Sequence, residues 1–238
     1  MRAAALIWIV IFGACAEDIV EEWHLDHDRV IAVRASPPGI VAGQTSELDA
    51  LLGHADGTPT ETRPSAAMVL SPPSLASTLA FTDGRWIVTA PDDTALAVAR
   101  DELDLAPTDA VPLVVAVSWP ATVFPTDTTG ADYAATKTVF LGEERDNPTI
   151  AEMTVDGVAS LAAGELVVGA TKTTTLAIPA EREDITRWLT SCGQLADWDL
   201  ASTLLTFEPE DARDGNIGVV LRTRAGGVAW KLWAIHAE

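Results

Sequence analysis

The sequence IGVVLRTRAGGVAWKLWAI, residues 217–235, decides the fold class of the chain. Two apolar runs flank a turn that ends in Gly226-Gly227, and this arrangement predicts a β-hairpin. Side chains alternate between the two faces of a strand, so the second run places on one face Val228, Trp230, Leu232 and Ala234. We expect that face to be buried, with Trp233 nearer the surface because it shares a face with Lys231.

Short β-branched runs occur along the rest of the chain, separated by turn sequences at spacings of about eight to twelve residues. Residues 111–119 and 131–141 predict a second, longer hairpin, and Asp92 predicts the start of one short helix. Residues 53–76, rich in Gly and Pro, predict mostly loop, with residues 68–70 as a candidate short strand within it. The chain is therefore predicted to be mainly β. Further strands are predicted at 30–35, 46–52, 86–90, 149–155, 165–170, 173–179 and 185–189.

The charged, proline-ended segment at residues 143–148 predicts a linker between two domains, at 28–142 and 149–238. The rhythm of short strands in each half is typical of a β-sandwich. The two halves also open alike. Each has a strand and a turn near Gly39 or Gly157, followed by Gly43 or Gly164 before the next strand.

On this strand rhythm, residues 28–238 resemble the tandem immunoglobulin-like domains of bacterial surface lipoproteins of the myxobacterial type. The resemblance implies two immunoglobulin-like β-sandwiches in a cell-envelope protein that binds or supports other components. The chain lacks the cysteine-tryptophan-cysteine arrangement of true immunoglobulin domains.

The N-terminal sequence MRAAALIWIVIFGAC, residues 1–15, has a basic start, a short apolar run and small residues before Cys15. It is too short to span a membrane. It resembles a bacterial lipoprotein signal, which implies a signal peptide at 1–14, lipidation of Cys15 and an acidic tether at 15–27. Ala14-Cys15-Ala16 also fits ordinary cleavage after Ala16, which would release a soluble secreted protein. A third interpretation keeps the segment as a buried element of the fold.

The chain carries 15 basic and 35 acidic side chains, a net charge of −20. Such a surface repels phosphate backbones, so nucleic acid is not expected as a partner. High solubility or cation binding follows more naturally. Only two cysteines are present, and lipidation of Cys15 would leave Cys192 without a disulfide partner in the chain.

The predicted linker supplies hard oxygen ligands of the kind calcium prefers: Glu143, Glu144, Asp146 and Asn147. They resemble the acidic linkers of cadherins, which bind calcium between successive sandwich domains. The cadherin pattern is longer and has more Asp and Asn. The alternative for this segment is a solvated run of charge.

Two other groups of residues carry a chemical alternative. The cluster His24, Asp26, His27 and Asp28 contains metal-ligand types, although an extended chain would send His27 to the opposite face. We expect this cluster to be a polar tether. Cys192 and His236 could form a nucleophile and a base, but a small structural cysteine and a solvated histidine are expected. No phosphate loop, dinucleotide fingerprint, zinc-protease motif or nucleophile elbow occurs.

The sequence thus predicts a non-catalytic binding or structural module, lipid-anchored in the cell envelope at the outer membrane. An envelope protein or a surface polymer is the expected kind of partner. The alternative is an envelope enzyme or enzyme accessory subunit with a site built from loops at 53–76 or 190–200. A concave pocket with converging polar groups would favour the enzyme, and a ridge or flat patch the module.

Overall fold

The computed structural model of the protein describes residues 22–124, 126, 130–160 and 165–238. The predicted signal peptide and Cys15 lie outside these ranges. The described chain forms four β-sheets arranged as two sandwiches, with one short α-helix, which confirms the predicted mainly β fold class. No helix within the described ranges is long and apolar enough to cross a membrane.

The first sandwich comprises two sheets, whose strand orders are β1-β3-β7-β6, with β4 paired to β3, and β2-β9-β8-β5. Helix α1 (Asp93–Glu102) connects β7 to β8, and the side chain of Asp92 accepts a hydrogen bond from the backbone N–H of Ala95 at its start. The strands are β1 (Arg29–Ser36), β2 (Gly39–Ile40), β3 (Thr45–Gly53), β4 (Pro59–Thr62), β5 (Ala66–Ser71), β6 (Leu79–Thr82), β7 (Arg85–Thr89), β8 (Val111–Trp119) and β9 (Tyr133–Leu141).

The second sandwich also comprises two sheets, with the strand orders β11-β10-β13-β16-β15 and β12-β18-β17-β14. Its strands are β10 (Met153–Val155), β11 (Val158–Ser160), β12 (Glu165–Val168), β13 (Thr174–Ala177), β14 (Ile185–Thr190), β15 (Gln194–Ala196), β16 (Ser202–Thr206), β17 (Asp214–Arg222) and β18 (Val228–Ala237). Strands β17 and β18 form the hairpin predicted from residues 217–235, with Arg222 opposite Val228 at its turn.

The two sandwiches share one topology. If β4 and β11 are set aside, the orders β1-β3-β7-β6 and β2-β9-β8-β5 reappear, in the same chain order, as β10-β13-β16-β15 and β12-β18-β17-β14. In each half a short strand pairs in parallel with the last strand, β2 with β9 and β12 with β18. These orders correspond to the ABED and CFG sheets of immunoglobulin domains. Both sandwiches are therefore immunoglobulin-like.

Each sandwich has its own apolar core, and the strand patterns explain both. In β8 every second side chain is buried, as expected for a strand with one face in the core: Val111, Leu113, Val115, Val117 and Trp119. The second core contains Trp188, which is fully buried as predicted, and its indole N–H donates to the carbonyl of Leu200.

The prediction of mostly loop at residues 53–76 is wrong. This segment forms β4, β5 and part of a 3-10 helix at Pro73–Thr78. Its prolines lie at strand or helix beginnings and in connections, such as Pro59 and Pro73, where the missing N–H costs no ladder hydrogen bond. The candidate short strand at residues 68–70 is part of β5, in which Met68 and Leu70 are largely exposed.

Trp230 is buried as predicted, but the predicted position of Trp233 near the surface is wrong. Trp233 faces the core of the second sandwich, whereas Trp230 lies on the opposite face, in an apolar cluster shared with the first sandwich. Both indoles are buried because this sheet is covered on both sides. Lys231, on the same face as Trp233, is only partly exposed: its ammonium lies 5.5 Å from the ring centroid of Trp233 and donates to the carbonyl of Ala151.

Candidate functional site

The two sandwiches meet through a third apolar cluster. Leu25, Ala32 and Leu51 come from the N-terminal half, and Leu189, Val220, Val228 and Trp230 from the second sandwich. On the first-sandwich side, the guanidinium of Arg34 lies 4.0 Å from the ring centroid of Trp230. Asp49 holds that guanidinium with two hydrogen bonds of 2.5 and 3.1 Å. The relative position of the sandwiches is thus supported by buried apolar contacts and a cation–π contact.

The turn of the β17–β18 hairpin contacts the first sandwich closely. Gly226 has a φ of +83°, and a Cβ atom on it would lie 2.6 Å from the ring of Phe140. Its carbonyl accepts a hydrogen bond of 2.6 Å from the ammonium of Lys137. Arg145 donates to the neighbouring carbonyl of Ala225 at 3.1 Å. The glycine allows the turn to approach β9 at a distance that a side chain would prevent.

Asn147 connects the two sandwiches directly. Its amide nitrogen donates to the carbonyl of Ala35 in β1 at 2.9 Å and to the hydroxyl of Ser36 at 3.2 Å. Its amide oxygen accepts from the backbone N–H of Val228 in β18 at 2.8 Å. The segment predicted as a linker therefore binds both sandwiches.

We expect Asn147→Ala to lower the free energy of unfolding by about 1–3 kcal/mol, because the backbone N–H of Val228 and the carbonyl of Ala35 lose their partner. Denaturant unfolding followed by tryptophan fluorescence measures this loss. Asp146→Ala, an exposed neighbour, is the control and should change stability by less than about 0.5 kcal/mol. Equal effects of the two substitutions would contradict the assigned role of Asn147.

A groove of about 470 Å³ lies at this junction. The first sandwich lines it with residues 30–33 of β1 and residues 135–138 of β9, and the second sandwich lines it with Ile185 and part of the β17–β18 hairpin. Its apolar surface includes Val30, Ile31, Phe140, Ile185 and Val228. Its volume falls within the range of small-molecule sites, and we call it the interdomain groove.

Two positive charges line the interdomain groove, those of Lys137 and Arg222, and none of its described lining residues is acidic. Arg222 donates from one guanidinium nitrogen to the carbonyl of Ile31 at 2.8 Å. In the part of the chain that the structure describes, no carboxylate lies within 4.0 Å of either cation. The described hydrogen-bond partners of both cations are backbone carbonyl groups, those of Gly226 and Ile31. Carbonyl groups carry no net charge, so they do not neutralise the charge of either cation.

Burial and repulsion from a neighbouring arginine lower the pKa of each of these two groups. Burial, with a further contribution from the positive charge of Arg222, lowers the pKa of Lys137 to about 8. Burial, together with the positive charge of Arg187, also lowers the pKa of Arg222. The charged form of Lys137 is thus disfavoured in the folded protein, and an anion beside it would relieve that cost.

A smaller cavity of about 260 Å³ adjoins the interdomain groove and shares with it Val30, Ile31 and Arg222. It adds Arg29 and Arg187, against one acidic residue, Glu22. The guanidinium of Arg187 lies 4.9 Å from the ring centroid of Trp198. Positive charge therefore continues from the interdomain groove along the junction, in a chain whose net charge is −20.

The candidate calcium ligands in the linker contact different partners. Glu143 pairs with Arg145 at 2.6 Å, and Glu144 accepts from Gln44 at 2.6 Å. Asp146 is exposed, and the oxygen of Asn147 is used by Val228. The predicted calcium site stays a prediction, and calcium would have to compete with these contacts.

The described end of the predicted tether belongs to the fold. Trp23 and Leu25 are buried, and residues 23 and 25 exchange two backbone hydrogen bonds with Thr190 of β14. Asp26 lies within 3.1 Å of His24 and 2.7 Å of His27. Burial raises the pKa of Asp26, but the hydrogen bonds from the two histidines, together with their charges, lower it by more. The pKa of Asp26 therefore lies below its ordinary value.

Cys192 and His236 show no sign of an activated nucleophile. Cys192 is buried, and burial raises the pKa of its thiol, which makes the thiolate scarce. His236 binds Asp214 at 2.6 Å, and this hydrogen bond raises the pKa of the imidazole. His236 and Asp214 form, with Glu165, a group of three possible metal ligands whose ligand atoms lie within 4.8 Å of one another. Among the described residues it is the one such group, and two of its three members are exposed.

Sequence reasoning missed the interdomain groove. Lys137 and Arg222 lie in different sandwiches and meet only through the packing of the β17–β18 turn on β9. The available signal in the sequence was Lys137, a basic residue inside the largely uncharged strand β9 of an acidic chain.

No protein-family model matches the chain, and no curated protein matches it. Among solved structures, it is similar to the N-terminal Ig1-2 module of the Drosophila receptor protein tyrosine phosphatase DLAR, with 13% identity and a TM-score of 0.32, over 89% of this chain and 99% of that chain. It is also similar to murine CEACAM1b, with 11% identity and a TM-score of 0.28, over 87% of this chain and 99% of that chain. The fold assignment made above is based on the strand orders of the two sandwiches.

Proposed function

We propose that the chain is a cell-envelope lipoprotein, anchored through Cys15, that acts as a non-catalytic binding module with its ligand in the interdomain groove. The observation that carries the proposal is this groove, held open between two immunoglobulin-like sandwiches and lined by two cations without a carboxylate partner among the described residues. A preformed concavity with a few polar groups is the usual form of a ligand site, whether catalytic or not. We infer binding rather than catalysis because the described lining offers no carboxylate, histidine or cysteine to work with the two cations.

Contacts on either side of the groove support a binding role. Lys137 and Arg222 each donate across the junction to a backbone carbonyl, so both side chains are positioned before any ligand arrives. Side chains ordered in advance lose little entropy on binding. The junction therefore combines fixed geometry with uncompensated charge.

Binding is tested by filling the interdomain groove. Thr136→Trp places a bulky side chain at an exposed position of β9 that lines the groove, without changing its charge. Immobilised wild-type chain is expected to retain a component of envelope extracts that the Thr136→Trp variant loses. Thr60→Trp, at an exposed position of β4, is the control and should retain it. Identical retention by all three chains would contradict ligand binding in the groove.

The anchor is tested at Cys15. Cys15→Ser removes the thiol that lipidation requires, so the protein is expected to move from membrane to soluble fractions, because acyl chains supply ~0.8 kcal/mol per buried methylene. Cys192→Ala is the control and should stay in the membrane fraction. Equal membrane retention of wild type and Cys15→Ser would refute the anchor. Wild-type protein in the soluble fraction would instead favour cleavage after Ala16.

A further inference from the structure

The interdomain groove carries an excess of positive charge that no carboxylate among the described residues neutralises. The chain has more than twice as many acidic as basic side chains, yet the described lining of the groove holds Lys137 and Arg222 and no acid. Lys137 is 8% exposed, so the residue as a whole is largely shielded from bulk water. Burying an unpaired cation is costly, and an apolar residue at this position would avoid that cost.

Hydrogen-bond capacity also remains at both cations. An ammonium has three N–H donors and a guanidinium has five. Lys137 makes one described hydrogen bond, to Gly226, and Arg222 makes one, to Ile31. A ligand with anionic oxygens could accept from the remaining donors without displacing either interdomain contact.

The rest of the lining defines the uncharged part of such a ligand. Val30, Ile31, Phe140 and Ile185 form an apolar surface beside the two cations. This surface favours a ligand with an apolar body over a fully hydrated inorganic ion. We propose that the interdomain groove binds a small organic anion, whose carboxylate or phosphate oxygens contact Lys137 and Arg222 and whose apolar body lies against this surface.

This inference depends on the proposed function, because it names the ligand class of the same groove. Its test uses the full chain and calorimetric titration at pH 7 with three probes. 4-Methylpentanoate carries the anion and the apolar body, 4-methylpentanamide has the same shape without charge, and inorganic phosphate has charge without the body. We expect the carboxylate to bind about ten- to a hundredfold more tightly than either other probe.

The variants assign the binding to the cations. Lys137→Met is expected to weaken carboxylate binding about tenfold or more, whereas Lys137→Arg, which keeps the charge, should preserve most of it. Lys231→Met is the matched control. Lys231 also donates to a backbone carbonyl, that of Ala151, but it lies outside the lining of the groove, so its loss should leave binding unchanged.

The dependence on pH gives a second test that needs no variant. Among the described lining residues, the charged group that faces Lys137 across the groove is Arg222 from β17, since β1, β14 and the hairpin turn contribute uncharged residues. Because the pKa of Lys137 is about 8, its ammonium loses its proton as the pH rises through that value. Carboxylate affinity is therefore expected to fall between pH 7 and 9.5, with proton uptake on binding near pH 8.

The outcomes separate this inference from the proposed function. Equal binding of 4-methylpentanoate and its amide would overturn the anion inference while leaving a binding groove. Phosphate binding as tightly as the carboxylate would overturn the role of the apolar body. The absence of binding by all three probes would overturn the inference, whereas the proposed function is decided separately by the Thr136→Trp experiment.

Discussion

Trp188→Ala is expected to unfold the second sandwich or leave it barely stable. The indole is fully buried in β14, and its N–H donates to the carbonyl of Leu200 at 2.9 Å. Truncating a buried tryptophan costs about 3–5 kcal/mol, against about 5–15 kcal/mol for the stability of a whole domain. The substitution also leaves the carbonyl of Leu200 without its indole donor.

Hydrogen exchange of the backbone amides provides the measurement for Trp188→Ala, because it reports each sandwich separately. Amides of β13 and β17 should lose most of their protection, while those of β3 and β8 should lose less. Trp198→Ala is the control, since Trp198 is half-buried in the same sandwich and should cost far less. Comparable losses in the two variants would show that Trp188 does not organise this core.

Trp230→Ala is expected to uncouple the two sandwiches rather than unfold one of them. Trp230 belongs to the apolar cluster at the junction, where Arg34 lies over its ring. We expect the wild-type chain to unfold in one transition and Trp230→Ala in two, with a loss of about 3 kcal/mol at the junction, in the range for truncating a buried tryptophan. Trp233→Ala, in the core of the second sandwich, should instead destabilise that sandwich.

Differential scanning calorimetry distinguishes these cases. Trp230→Phe is the control, because the indole N–H of Trp230 makes no hydrogen bond within the described structure and phenylalanine keeps most of the apolar area. It should unfold in one transition. A single transition for Trp230→Ala, with stability close to that of the wild type, would contradict a coupling role for this side chain.

The fold was predictable where the sequence carries a local pattern. The turn at Gly226-Gly227 identifies one long hairpin, the β-branched runs at 111–119 and 131–141 identify the other, and Asp92 identifies the helix start. The orientation of β18 was not predictable, because both of its faces are apolar. Alternation separates a buried face from a solvated one, and it gives no answer for a sheet that is covered on one side by its own sandwich and on the other by a neighbour.

The candidate site was largely unpredictable for a related reason. Lys137 and Arg222 come together only after two domains have folded and docked, and no spacing in the sequence records that event. The sequence predicted Asn147 to be a polar linker residue whose amide oxygen could bind calcium. In the structure its amide group forms hydrogen bonds with β1 and β18. The residue type was informative about hydrogen bonding, but its partners depend on tertiary packing.

The shared topology of the two halves was visible in the sequence only as a common opening. Within it, Trp188 stands on β14, the strand that corresponds to strand C of immunoglobulin domains, where a buried tryptophan is a hallmark. The B and F strands, which carry the inter-sheet disulfide in antibody domains, correspond here to β13 and β17. They place apolar residues such as Leu176 and Val219 in the core. Core packing thus holds together a sandwich in which Cys192 is a free thiol.

The pairing of residues 23 and 25 with Thr190 determines how a mechanical load would travel through an anchored molecule. Tension from the N-terminus would enter the second sandwich at β14, although the chain next runs into β1 of the first. Two backbone hydrogen bonds and the buried side chains of Trp23 and Leu25 would yield first, releasing roughly 3.5 Å of slack for each residue freed. Under brief tension this segment would extend, and both sandwiches would stay folded.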